Sequence, residues 1–176
     1  GLAYGFKEPD WDWYLEGGYH HWFTNDSAIL NLIKELGLNS KLIVKRPVTA
    51  NYLPSHSTHL RLSFESRKAA NIVQLDSPLH LFRFHLLSPI DKIRTAALLV
   101  FLKLNPFWRP LEGVTAQNFF IAFGGKEAWR VLWEPLMVGK FGEFAPKVSA
   151  SWLWARIKKR TPRLAYMQGG FHTVVV

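Results

Sequence analysis

The sequence predicts an α+β fold, a small antiparallel sheet followed by a mainly helical block. Three observations predict it. Short apolar runs with strand character cluster before residue 76. Capped stripes of period 3.6 dominate from Ser77 onwards. Nearly half of the 176 residues are apolar and 15% are aromatic, with eight Trp among them, which is enough for a packed core.

The first 25 residues read as extended or irregular, punctuated by Gly1, Gly5, Pro9, Gly17 and Gly18. A helix follows. Asn25 and Asp26 offer capping oxygens, Ile29, Leu32, Ile33 and Leu36 recur on one stripe, and Gly37 stands where a left-handed residue ends it. Residues 42–53 and 58–64 favour strands, and Pro47 makes the first an edge or bulged strand. Residues 66–72 read as a turn or short loop, and Val73 to Leu75 as a short strand.

Ser77-Pro78 and Ser88-Pro89 each set a capping hydroxyl before a proline at the first helical position. The helix after Ser88 carries Ile90, Ile93, Ala97, Val100 or Phe101, and Leu104 on one stripe, which suits a core face and a membrane-facing face alike, and Pro106 stops it. Thr115 caps a shorter helix ending at Gly124-Gly125, and another runs from Lys126 to about Trp133 before Pro135. Ser149 caps a last helix whose basic end complements its own dipole. The final residues read as an extended arrival, a Gly-Gly turn and an apolar segment. The chain thus forms a single domain in four stretches, residues 1–25, 26–76, 77–163 and 164–176, and both ends read as interrupted.

The absence of cysteine excludes disulfides, thiolate catalysis, zinc-thiolate sites and iron–sulfur clusters. The opening residues lack a basic segment followed by an apolar one, so no signal peptide is expected. The longest apolar run, Ala96 to Leu102, is far shorter than the roughly 20 residues of a spanning helix. A cytoplasmic location follows as the expectation. The net charge is +9, densest at Arg156, Lys158, Lys159, Arg160 and Arg163. A solvated helix face accounts for that run better than nucleic acid does.

No self-contained catalytic constellation emerges: there is no G-x-G-x-x-G, Walker loop, G-x-S-x-G or H-E-x-x-H. His20 and His21 stand beside aromatics, but neighbours on an extended chain point to opposite faces and do not chelate one ion easily. Each reads either as a structural imidazole or as one facing a cofactor. Glu16, Asp10 and Asp12 are carboxylates at an unspecific spacing, read as surface groups. The Gly-Gly pairs at 17–18, 124–125 and 169–170 permit tight turns or close approach of a ligand.

Three segments carry a family resemblance in the right order. They are GLAYG with LEGGYHHWFTND at the start; Trp133-Glu134-Pro135-Leu136, Gly139-Lys140-Phe141-Gly142 and Val148-Ser149-Ala150 in the middle; and Gly169-Gly170-Phe171 at the end. The chain resembles the FAD-dependent amine oxidase superfamily, nearest to its protoporphyrinogen-oxidase-like and phytoene-desaturase-like branch. The resemblance covers essentially the whole chain, with the middle motif the most specific. It implies the substrate-side domain of a flavin oxidoreductase lacking the Rossmann-type FAD domain, since the phosphate-binding turn is absent here. FAD is then the cofactor of the full-length parent, and none is expected in this piece, which would be inactive alone.

By match to the family's segments, Gly18, His20, His21, Gly169 and Gly170 lie nearest the flavin. Trp22, Phe23, Phe119, Phe120, Trp133 and Trp152 are candidates, by composition, for an aromatic-lined pocket over it. The implied partners are the FAD-binding domain of the same chain and a small apolar or aromatic substrate. A binding module for nucleic acid or an anionic membrane, without catalysis, is the alternative. The helix beginning at Ser88 also offers a peripheral membrane contact, and an apolar face left uncovered would promote self-association. The substrate and the electron acceptor stay open.

Overall fold

The computed structural model describes residues 3–18, 20–52 and 72–175. The fold is α+β. In chain order the elements are β1 (Gly5–Phe6), β2 (Leu15–Glu16), β3 (Trp22–Phe23), α1 (Ser27–Glu35), β4 (Leu42–Lys45), β5 (Ala50–Tyr52) and β6 (Ile72–Gln74). There follow α2 (Pro78–Arg83), α3 (Pro89–Leu104), α4 (Ala116–Gly124), α5 (Lys126–Ala128), α6 (Glu134–Phe141), α7 (Ala150–Lys159), β7 (Leu164–Met167) and α8 (His172–Val175). The chain divides into two compact units, Gly1–Pro47 with Lys159–Val176, and Val48–Lys158. The strand expected over residues 58–64 and most of the loop expected over 66–72 lie outside the described residues.

In the first unit β1 and β2 form an antiparallel pair with Gly5 opposite Glu16. The last strand, β7, lies between β3 and β4 and is antiparallel to both. Its Leu164, Ala165 and Met167 are buried. Helix α1 buries Ile33 and leaves Leu32 and Leu36 about half exposed. Asp26 stands at its N-terminus but does not cap it; the carboxylate turns back to accept from the Phe23 amide at 2.9 Å. The other end closes as expected. Gly37 takes φ +70°, and the amides of Gly37 and Leu38 donate to the carbonyls of Lys34 and Ile33.

The apolar run at 42–53 breaks at Pro47, which has no amide to give a ladder. Its first half is the edge strand β4, while its second half is β5, paired with β6 in the other unit.

The second unit is helical around Leu98, Leu102, Leu111, Phe120, Trp129, Met137 and Leu153, with a smaller cluster of Leu81, Phe84, Leu87 and Ala128. The hydroxyls of Ser77, Ser88 and Thr115 accept from the amides of His80, Asp91 and Asn118, so these caps form as expected. Pro135 does not end the helix before it. A π turn over Trp129–Trp133 widens the coil, and α6 then begins with Pro135 in its first turn, where a missing amide costs little.

Helix α3 turns its Ile90-to-Leu104 stripe outward. Its buried residues are Thr95, Leu98 and Leu102, whereas Ile90, Ile93, Val100, Phe101 and Leu104 are each more than half exposed. The Val148-Ser149-Ala150 motif is a brace. The Val148 carbonyl accepts from Ala116, the Ala150 amide donates to Val114, and the Ser149 hydroxyl donates to the Leu111 carbonyl and accepts from the Ser151 amide. The basic end of α7 acts across helices. Lys158 donates to the Lys103 and Leu104 carbonyls of α3, and Lys103 returns the contact to Ile157 and Lys158. Each helix C-terminus is thus neutralised by the other's ammonium group.

Candidate functional site

The expected site residues gather in the first unit, around a carboxylate that sequence reasoning had placed on the surface. Pairing of β1 with β2 sets Glu16 opposite Gly5, and the Gly17 amide donates to the Tyr4 carbonyl at 2.8 Å, closing the hairpin end. Glu16 is only about 18% exposed. Its Oε1 accepts from the Phe171 amide. Its Oε2 accepts from the His20 amide at 3.1 Å and lies 3.3 Å from His20 Nδ1. One carboxylate therefore ties the stretch carrying Gly17, Gly18 and His20 to the one carrying Gly169, Gly170 and Phe171.

The arriving stretch is shaped for that contact. After β7 the Gly170 amide donates to the Met167 carbonyl, and Gly169 and Gly170 adopt φ +85° and +92°. A side chain at Gly170 would stand 3.1 Å from Glu16 Oε1 and 3.2 Å from His172 Nδ1, so the positive φ favours glycine and the tight surroundings add to that. Thr173 Oγ1 donates to the Gly170 carbonyl at 2.7 Å and fixes the start of α8. His172 then packs against Gly5, where a Cβ would approach Nδ1 to 2.8 Å, and its ring lies 4.4 Å from that of Tyr14. His172 Nδ1 is buried without a hydrogen-bond partner.

The two adjacent histidines part as extended backbone requires. His20 packs its ring on Phe171 at 4.9 Å, and Trp22 meets the same ring edge-on at 5.4 Å. His21 lies with the sheet, edge-on to Phe23 at 5.6 Å and 6.2 Å from Tyr166. Gly17, Gly18 and Gly169 are exposed. Gly18 is in ordinary contact with His20, at 3.7 Å from a built Cβ.

Of the aromatics proposed for a pocket, four are packing residues of the second unit. Phe120 is buried against Trp129 and Trp133, and Phe119 lies 4.8 Å from Phe123. Trp152 stacks edge-on with Phe141 beneath Lys140 and Arg156. Large rings on helical stripes fill cores first, and composition alone does not separate that use from ligand contact. Two clefts of the second unit are lined by other residues, one of about 330 Å³ by Ile72–Gln74, His80 and Arg83–His85, another of about 350 Å³ by Pro106–Pro110. Beside the first, Asp76 accepts from Gln74 and lies 2.8 Å from His80 Nδ1; the Gln74 contact, then His80, holds its carboxyl below the usual carboxylate range.

Among the described residues no cluster of three or more His, Asp or Glu is placed to hold a metal ion. The arrangement around Glu16 is of another kind, an exposed glycine edge backed by an aromatic ring and an oriented imidazole. Glycines at such an edge allow a flat ligand to lie close to backbone.

The family model for flavin containing amine oxidoreductases matches residues 1–175, and the chain belongs to that family. No match is found among curated proteins. The signal that would have singled out Glu16 is local: an acid directly before Gly-Gly and four residues before His20.

Proposed function

We propose that this chain is the substrate-side domain of an FAD-dependent, amine-oxidase-like oxidoreductase, holding an apolar or aromatic substrate against a flavin bound mainly by a Rossmann-type domain of the same protein. The observation that carries the reading is the Glu16 carboxylate, joining the two glycine-bearing segments that the family resemblance assigns to the flavin. Family membership over residues 1–175 supports it.

When bound, the flavin supplies the hydride chemistry. The residues of this chain have the positioning work. Gly18, Gly169 and Gly170 allow a planar ring to approach the backbone. Glu16 fixes the segments on either side, and Phe171 with Trp22 supplies apolar surface behind them. Between the histidines, His20 is the one that faces the cofactor. It shares Glu16 with the Phe171 amide, and contact of Nδ1 with that carboxylate leaves Nε2 as the edge that meets a ligand. His21 is the structural partner, lying with Phe23 and Tyr166.

The test uses the intact flavoprotein with His20→Ala, His21→Ala and Glu16→Ala, each assayed for flavin content, turnover and melting temperature. His20→Ala should lose turnover or flavin while melting within about a degree of wild type. His21→Ala should keep its flavin and lose about 1–3 kcal/mol of stability, a fall of roughly 2–4 °C per kcal/mol. Glu16→Ala should do both. Flavin content and turnover unchanged in both His20→Ala and Glu16→Ala would remove this segment from the cofactor.

A further inference from the structure

The hairpin of β1 and β2 carries a row of rings that the flavin reading leaves unused. Tyr4 and Phe6 share one face of the extended chain and stack at 6.2 Å. Phe6 reaches Trp11 at 6.2 Å, and Trp11 lies on Trp13 at 4.6 Å with the two planes only 5° apart. The tip that sets up this stack is a built turn. The Trp11 amide donates to the Glu8 carbonyl at 3.1 Å, and Pro9 fixes φ at the second position of that turn. Trp11 is half-buried between its neighbours, whereas Trp13 is 50% exposed and Tyr4 59%. The face-to-face stack covers one side of Trp13 and leaves the other open. Four rings in continuous contact are a contiguous patch, unlike apolar residues scattered singly over a surface.

Charge decides what that patch receives. Four of the chain's 13 acidic residues stand between Glu8 and Glu16, in a chain of net charge +9. Glu16 is taken up at the base of the hairpin by His20 and Phe171. Glu8, Asp10 and Asp12 are exposed, and among the described residues none of their carboxylates has an ion pair or hydrogen bond. The one nearby cation in sequence, Lys7, lies over the Tyr14 ring at 6.0 Å. Open indole beside free carboxylates suits a flat cation. A guanidinium stacks on the ring face while its edge donates to a carboxylate, a geometry that a compact ammonium matches less well. Anionic lipid and nucleic acid would meet the carboxylates as like charge. A second copy has little to offer, because its densest basic run is partly engaged: Arg156 lies over Trp152, and Lys158 donates to carbonyls of α3. We infer that the aromatic and acidic tip over residues 4–14 docks an arginine-bearing basic segment of a partner protein, an inference that stands apart from the flavin reading.

Titration of a dye-labelled oligoarginine peptide with the full chain, followed by fluorescence anisotropy, tests it against an oligolysine peptide of the same length. Oligoarginine should bind more tightly than oligolysine, and raised salt should weaken the binding. Trp13→Ser removes the open face without changing charge. It should bind on the order of fivefold more weakly while keeping its melting temperature, since the ring is half exposed. The double variant Asp10→Asn, Asp12→Asn keeps every ring, and should weaken binding while flattening its dependence on salt. Equal affinity for the two peptides, no binding at all, or undiminished binding by either variant overturns the proposal. Binding of maltohexaose, an uncharged sugar chain, in place of oligoarginine overturns it by making the rings a carbohydrate platform. So does a dimer in solution that Trp13→Ser dissolves, which would make the tip a contact between copies. Binding by this chain but not by the intact flavoprotein would also overturn it, by showing the tip covered.

Discussion

Thr95 is fully buried in the middle of α3, and its Oγ1 has no hydrogen-bond partner. The hydroxyl of Ser149, by contrast, donates to one carbonyl and accepts from one amide. The difference is energetic. A satisfied buried hydroxyl returns what its desolvation costs, whereas an orphan costs about 1–3 kcal/mol. Replacing Thr95 with valine keeps the branched shape and removes the orphan. Thr95→Val should therefore gain up to about 1 kcal/mol, with the melting temperature rising by roughly 2–4 °C per kcal/mol. Thermal and urea unfolding of the two proteins measure this, and a less stable valine variant would mean the hydroxyl is satisfied. His172 Nδ1 is likewise without a partner, its ring held against Gly5 and Tyr14.

At the scale of elements, α3 organises the second unit through its cations. Lys92 donates to the Phe82 carbonyl in α2, Arg94 to the Ala122 and Phe123 carbonyls near the end of α4, and Lys103 to the end of α7. Each places positive charge where a helix leaves carbonyls unpaired. Arg94 makes two such bonds, at 3.2 and 2.7 Å. Arg94→Ala should cost about 1 kcal/mol, an exposed contact being screened, and should speed amide exchange in the last turn of α4 more than elsewhere. An unchanged melting temperature with unchanged exchange would show the contact to be idle. These elements were legible where their signals are local. Ser77-Pro78, Ser88-Pro89, Thr115 and Ser149 mark the helix starts, and Gly37 marks the end of α1. The facing of α3 was not legible, because Ala96 to Leu102 is apolar all round and periodicity offers two competing stripes. Glu16 was legible by half: its contact with His20, four residues on, is a local spacing, whereas its partner Phe171 lies 155 residues away and no local pattern points to it.

On the scale of the whole molecule, the first unit is assembled from both parts of the chain, and the second is inserted within it. The insertion makes β7 decisive, since it is the strand on which both β3 and β4 pair. Its Leu164 faces Lys45 and Phe23, and its Ala165, fully buried, faces Val44 and Trp22. Without β7 the two-residue β3 and the four-residue β4 have no common neighbour. Strands so short do not hold by themselves. The main core cluster of the second unit runs from Leu98 to Leu153, with Ile157 packed against it. Truncation after Arg160 should therefore melt one unit and spare the other. Most of the helical circular dichroism should persist, carried by α2 to α7, while limited proteolysis cuts within residues 3–47 far faster than in the full chain. The amide of Leu98, in the core of α3, should keep its protection from exchange, and that of Val44 should lose it. Equal protection at Val44 in the truncated and full chains would show that β4 holds without its central strand, and that the closing of the chain upon itself does not build the site around Glu16.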